Sequence, residues 1–160
     1  MLLYSPSWLF LFPGATMMLG GTALGAWLIT GPKEVAGISL GIHTLMYAAA
    51  AAIVGFQVVI FALFTKAFAV SERLLPASGF YTAIFRYIKL ETGLAAGAIM
   101  TVAGLAATIT AFTLWQRTAF QDLDPQQMMR LVIPAATLLA LGIETVFSSF
   151  FLSILGLKRQ

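Results

Sequence analysis

Charged residues in this chain fall into narrow windows, and the intervals between them are long. Residues 1–32 carry none, 35–65 none, 92–116 none, and 131–157 a single one, Glu144. Crossing a hydrocarbon core takes roughly 20 apolar residues in an α-helix, so each interval is long enough to span. Only 9% of the 160 residues are charged, 60% are hydrophobic and the mean hydropathy is +0.94. A soluble domain carries roughly 25% charged residues, so too few polar side chains exist here to coat a water-facing surface. The pattern predicts an all-α integral membrane protein, a single membrane domain of four transmembrane helices. Their expected positions are about 8–30, 38–65, 92–116 and 130–157.

The first interval ends at "TGPKE", where Gly31 and Pro32 stop the helix. Its start, "MLLYSPSWLFLFPG", lacks a basic leader and reads as a retained span rather than a cleaved signal. The second interval is longer than a span needs. Either its start ("VAGIS") is an interfacial loop or the helix is tilted. Cysteine is absent, which excludes disulfides and Cys-based metal or redox chemistry.

With four spans, the connection between the second and third shares a side with both termini. That side holds Lys66, Arg73, Arg86, Lys89, Lys158 and Arg159, and the other holds Lys33, Arg117 and Arg130. The excess of basic residues predicts a multi-pass protein of the inner (plasma) membrane with both termini in the cytoplasm. Residues 66–91 form a cytoplasmic amphipathic juxtamembrane connection, with interfacial helices expected at about 66–75 and 79–90 around Pro76-Ala77-Ser78-Gly79. In the second piece Phe80, Ile84, Tyr87, Ile88 and Glu91 follow helical spacing, with Arg86 and Lys89 off that stripe. Such a helix suits the headgroup region. It either merely connects the spans or, with Lys66 and Arg73, cradles an anionic lipid phosphate.

Small residues recur at four-residue spacing: Gly21 and Gly25, Gly37 and Gly41, Gly93 and Gly97, with Gly104 one heptad further on, and Ala48 with Ala52. They let helix backbones approach closely. The expectation is a compact bundle, as a homo-oligomer or within a larger membrane complex.

Polar residues inside the spans are few. Glu144 lies midway between Arg130 and Lys158. A carboxylate there costs about 2.5–3.5 kcal/mol on insertion scales, while each Leu, Ile or Phe returns about half a kcal/mol. The span therefore inserts, with the carboxyl facing protein rather than lipid. It is either a functional group, in proton coupling or substrate binding, or hydrogen-bonding glue between helices. His43 and Gln57 are fourteen positions apart, which brings them within about 40° on one helix face. A lone His is a poor metal site, because zinc takes three or four ligands, so both are expected to hydrogen-bond between helices. Ser148, Ser149 and Ser153 offer hydroxyls for the same purpose.

"DLD" at Asp122–Asp124 has the spacing of a nucleotide-sugar metal site, but Pro125 follows at once. "DPQQMMR" reads better as an N-cap, a first-turn proline and the start of span four, on the predicted outer face. No glycine-rich phosphate loop and no Ser/His/Asp set occurs. No catalytic residue, metal site, cofactor or nucleic-acid partner is expected of this chain.

The phrases "LLYSPSWLFLFPG", "LGIHTLMYAA", "GFQVVIFALFTKAFA", "LETGLAAG" and "RLVIPAATLLALGIETVFSSFFLSILGL" resemble the C-terminal membrane region of bacterial family 2 glycosyltransferases, relatives of polyprenyl- and dolichyl-phosphate sugar synthases. "HT", "GFQ" and "FSSFFLSILG" are its most specific parts, so His43, Gln57 and the Phe147–Gly156 run match signature positions. The resemblance implies a cytoplasmic catalytic domain that binds nucleotide sugar and a divalent metal, ahead of spans that anchor it and present the lipid carrier. The family's catalytic carboxylates have no counterparts here, and Glu144 stands where an amide or small residue is expected. This chain begins almost where the first span begins, so it is expected to be a fragment or a stand-alone membrane subunit, inactive alone. Two other classes fit the residues: a small four-span transporter or flippase component using Glu144, and a structural subunit of a larger complex.

Overall fold

The computed structural model describes residues 7–71, 90–117 and 125–157. Four helices long and apolar enough to cross a membrane run over Leu9–Ile29, Ile42–Val70, Leu90–Arg117 and Gln126–Ile154. The protein is an integral membrane protein built from these helices.

Helix α1 (Phe12–Ile29) follows a π-helical turn, Ser7–Leu11. Pro13 lies just inside α1 and has no N–H to donate to the turn before it. A widened turn is a common answer to that missing bond. After Pro32 the chain forms a two-stranded antiparallel hairpin, β1 (Lys33–Val35) and β2 (Ile38–Leu40), pairing Lys33 with Leu40 and Val35 with Ile38. The hairpin favours the non-helical alternative at "VAGIS" over a tilted helix, and it moves the start of the second span from the expected 38 to Ile42. The reason is local. Ala36 and Gly37 both take positive φ, 51° and 78°, which is the two-residue turn that matches the twist of paired strands. The β-branched residues Val35 and Ile38 flank it.

Helix α2 (Ile42–Ser71) is longer than expected and carries Lys66 within its last turns rather than in a separate interfacial piece. No break follows Thr65, whose hydroxyl bonds back to the Phe61 carbonyl inside the helix at 2.9 Å. The expected interfacial helix at 79–90 lies outside the described residues except for Leu90, which opens α3 (Leu90–Arg117). Helix α4 (Pro125–Leu157) begins on Pro125 and contains Pro134.

The helices form two hairpins, α1 with α2 and α3 with α4, and the hairpins meet through α2 and α4. In cross-section the order is α1, α2, α4, α3: α3 packs extensively on α4 alone, and α1 only brushes α4. This is an open row rather than the compact bundle expected from the glycine pairs.

Each hairpin is closed by glycines. A Cβ on Gly21 would sit 2.6 Å from the Ala48 carbonyl oxygen and from the Ala52 nitrogen, so Gly21 seats on the small-residue face of α2. Gly14 and Gly55 approach each other's helix backbones in the same way. In the other hairpin a Cβ on Gly104 would meet the Leu139 nitrogen at 2.8 Å, one on Gly97 the Gly142 carbonyl at 2.8 Å, and one on Gly93 would collide with Ser149 Oγ. Gly25 makes only ordinary contact, 3.9 Å from the Ala48 Cβ. Gly37 and Gly41 have nothing within 4 Å. The expected Gly37–Gly41 packing pair does not form, because Gly37 shapes the β-turn and Gly41 precedes α2.

Candidate functional site: a polar pair on the seam between hairpins

Gln57 lies midway along α2, and Glu144 faces it from α4. Gln57 Nε2 donates to Glu144 Oε1 at 2.5 Å. The second carboxyl oxygen, Oε2, is buried and has no hydrogen-bond partner among the described residues. Both residues lie near the middle of helices long and apolar enough to cross a membrane, where an unmatched carboxyl is costly. A donated amide hydrogen offsets part of that cost and ties the two hairpins together at mid-depth.

The pair borders a cavity of about 290 Å³ on one side of the seam, walled by Phe56, Phe61, Phe64 and Phe147, with Ser148 one turn beyond Glu144. A second cavity of about 360 Å³ adjoins it, sharing Phe64, Phe147 and Ser148 and extending to Ile154. Phe64 and Phe151 meet across the seam with ring centroids 4.5 Å apart. Towards the other end, an apolar cavity of about 230 Å³ lies between α1, α2 and α4, bordered by Gly25, Ala49 and Pro134.

A second polar clasp holds the far end of the seam. Arg130 Nη1 donates to the Leu28 carbonyl oxygen at 2.7 Å, in the last turn of α1. A cation at a helix C-terminus meets the negative end of the helix dipole. Thus both clasps, Gln57–Glu144 and Arg130–Leu28, join one hairpin to the other, while the close glycine contacts stay within hairpins.

The remaining expected site residues distribute as follows. His43 is the second residue of α2, exposed and without a hydrogen bond or ion pair among the described residues. The interhelical bond expected of it is not made: in that first turn Leu45, not His43, is the buried residue. Ser148 and Ser149 are buried. Ser149 Oγ donates to the Thr145 carbonyl at 2.7 Å and packs against Gly93. Lys66 lies half-buried in α2, whereas Arg73, Arg86 and Lys89 lie outside the described residues, as do Asp122 and Asp124. No group of three or more His, Asp or Glu able to hold a metal ion occurs among the described residues.

Residue reading missed Gly14, Gly55 and Gly142 as close contacts, and Arg130 as a cap. Gly14 and Gly142 lack a small residue four positions away, so no spacing marked them; Ala51 with Gly55 has that spacing and was overlooked. The phenylalanine wall had a signal, the dense Phe147–Phe151 run, but nothing showed which helix it faced.

The family model of the glycosyltransferase family 2 C-terminal transmembrane region matches residues 63–156. The chain belongs to that family. It is also similar to a low-salt glycan biosynthesis hexosyltransferase, Agl6, of Haloferax volcanii, with 33% identity over 158 residues. That alignment covers 98% of this chain and 37% of the relative, so the chain spans well under half of the relative's length. No solved structure matches. Within the glycosyltransferase family 2 membrane region, the matched segment takes in the end of α2, all of α3 and almost all of α4, including Glu144 and the phenylalanine run.

Proposed function

We propose that this chain is the membrane-anchoring and lipid-presenting region of a family 2 glycosyltransferase, with the sugar-transfer chemistry performed by a catalytic domain that works with it. The observation that carries this reading is the end-to-end similarity to part of a hexosyltransferase, combined with membership of a transmembrane-region family. The lipid is a polyprenyl phosphate, held at the cytoplasmic face near the basic connection of Lys66, Arg73, Arg86 and Lys89. Both termini face the cytoplasm, as the distribution of Lys and Arg favours. The Gln57–Glu144 hydrogen bond supports an interhelical role for the carboxyl over transport chemistry.

The test is reconstitution. Purified chain mixed with nucleotide sugar and polyprenyl phosphate is expected to transfer nothing, and addition of a family 2 transferase domain in trans is expected to give transfer faster than that domain alone. Robust turnover by the chain alone, or no enhancement in trans, overturns the reading.

A further inference from the structure

The cavity beside Glu144 is not accounted for by anchoring or by presenting a phosphate at the membrane surface. One carboxyl oxygen is held by a neutral amide, and the other is buried with no partner among the described residues. Its walls are aromatic, from Phe56, Phe61, Phe64 and Phe147. Aromatic faces attract cations, and an apolar wall accommodates the methylene stem of a long basic side chain. We propose that this cavity receives a basic side chain from a transmembrane helix of another protein, which the Glu144 carboxyl binds within the bilayer.

Size and depth select this occupant. The space of about 290 Å³ and the one of about 360 Å³ that adjoins it take side chains but not a helix of about 10–12 Å diameter. The helix therefore lies alongside α2 and α4 and inserts a single residue. Glu144 is thirteen residues from the end of α4 at Leu157, or about 20 Å along the axis. A phospholipid ammonium, which stays with the headgroups, does not reach that depth. A second copy of this chain does not supply the cation either, since all nine of its Lys and Arg lie outside residues 1–32, 35–65, 92–116 and 131–157.

The existing hydrogen bond is compatible with exchange. A charge-assisted bond is roughly twice as strong as a neutral one, so an ammonium or guanidinium competes with the Gln57 amide. This inference is independent of the lipid-carrier reading, because it concerns a different depth and a protein partner.

The test uses the full chain in phosphatidylcholine vesicles and a synthetic Leu/Ala transmembrane peptide bearing one central Lys, with association read by energy transfer. A peptide with Leu in place of that Lys is the comparison. The Lys peptide is expected to associate about tenfold more tightly, on the scale of intramembrane polar contacts. Glu144→Gln should erase the preference and Gln57→Leu should preserve it. Equal association of the two peptides with the unmodified chain overturns the proposal without recourse to any variant. Persistence of the preference in Glu144→Gln overturns it too. Displacement by dodecylammonium with no peptide preference would assign the cavity to a small amphiphilic cation, again overturning it.

Discussion

Gly97 and Gly142 stand back to back between α3 and α4: a Cβ on Gly97 would lie 2.8 Å from the Gly142 carbonyl oxygen, and one on Gly142 would lie 2.9 Å from that of Gly97. Without a hydrophobic drive between helices in lipid, such close approach is a main source of association. Gly142→Leu should therefore destabilise the second hairpin by about 1–3 kcal/mol, the cost of forcing atoms into a packed contact. Gly20→Leu, at a position with nothing within 4 Å, should change little. Thermal unfolding of both variants in detergent micelles checks the difference.

The clasp at mid-depth should show coupling. Gln57→Leu removes the donor to Glu144 Oε1 and should cost about 1–2 kcal/mol. Glu144→Gln retains a hydrogen-bonding amide and should cost less. A double-mutant cycle with Gln57→Leu and Glu144→Leu should be non-additive, because the double variant leaves no unpaired carboxyl behind. Strict additivity in unfolding free energy would show that the two side chains act independently.

Arg130 makes a more local prediction. The Leu28 carbonyl accepts from Arg130 and from the backbone at Thr30 and Gly31. Arg130→Gln should loosen the end of α1 by about 0.3–1 kcal/mol, the usual size of a charge at a helix terminus. Amide hydrogen exchange should accelerate at Thr30 and Gly31 while the α3–α4 contact stays protected. Unchanged exchange there would remove Arg130 from its role as a cap.

Absence of native cysteine makes topology easy to read. Ala36→Cys, in the β-turn, should react with a membrane-impermeant thiol reagent applied outside the cell. Ala77→Cys, in the connection after α2, should react only after permeabilisation. The reverse pattern would place both termini outside.

The four spans were legible because apolar length is a property of each segment by itself. The N-terminus of α4 was legible too, since Pro125 at the first helical position is a local signal. What could not be read was pairing. Gln57 and Glu144 are 87 residues apart, and each is conspicuous on its own helix, yet no periodicity says which face meets which. His43 illustrates the opposite error. Its angular relation to Gln57 suggested a shared buried stripe, but both residues are exposed, and the buried face of α2 there runs through Leu45, Ala48 and Ala52. The β-hairpin was hidden by its brevity: three residues a side, marked only by Ala36-Gly37, disappear inside a long apolar interval.

The open order α1, α2, α4, α3 has a consequence for how this membrane region is handled. A closed bundle shields most of its core from its surroundings, whereas a ribbon one helix thick leaves both broad faces wetted by acyl chains. Solvent for this protein is therefore a structural component, and bilayer thickness acts directly on the angle between the two hairpins. Lipid composition should set the geometry that reaches the Ser71 end of α2 and the Leu157 end of α4, so a micelle and a native membrane will hold different ribbons.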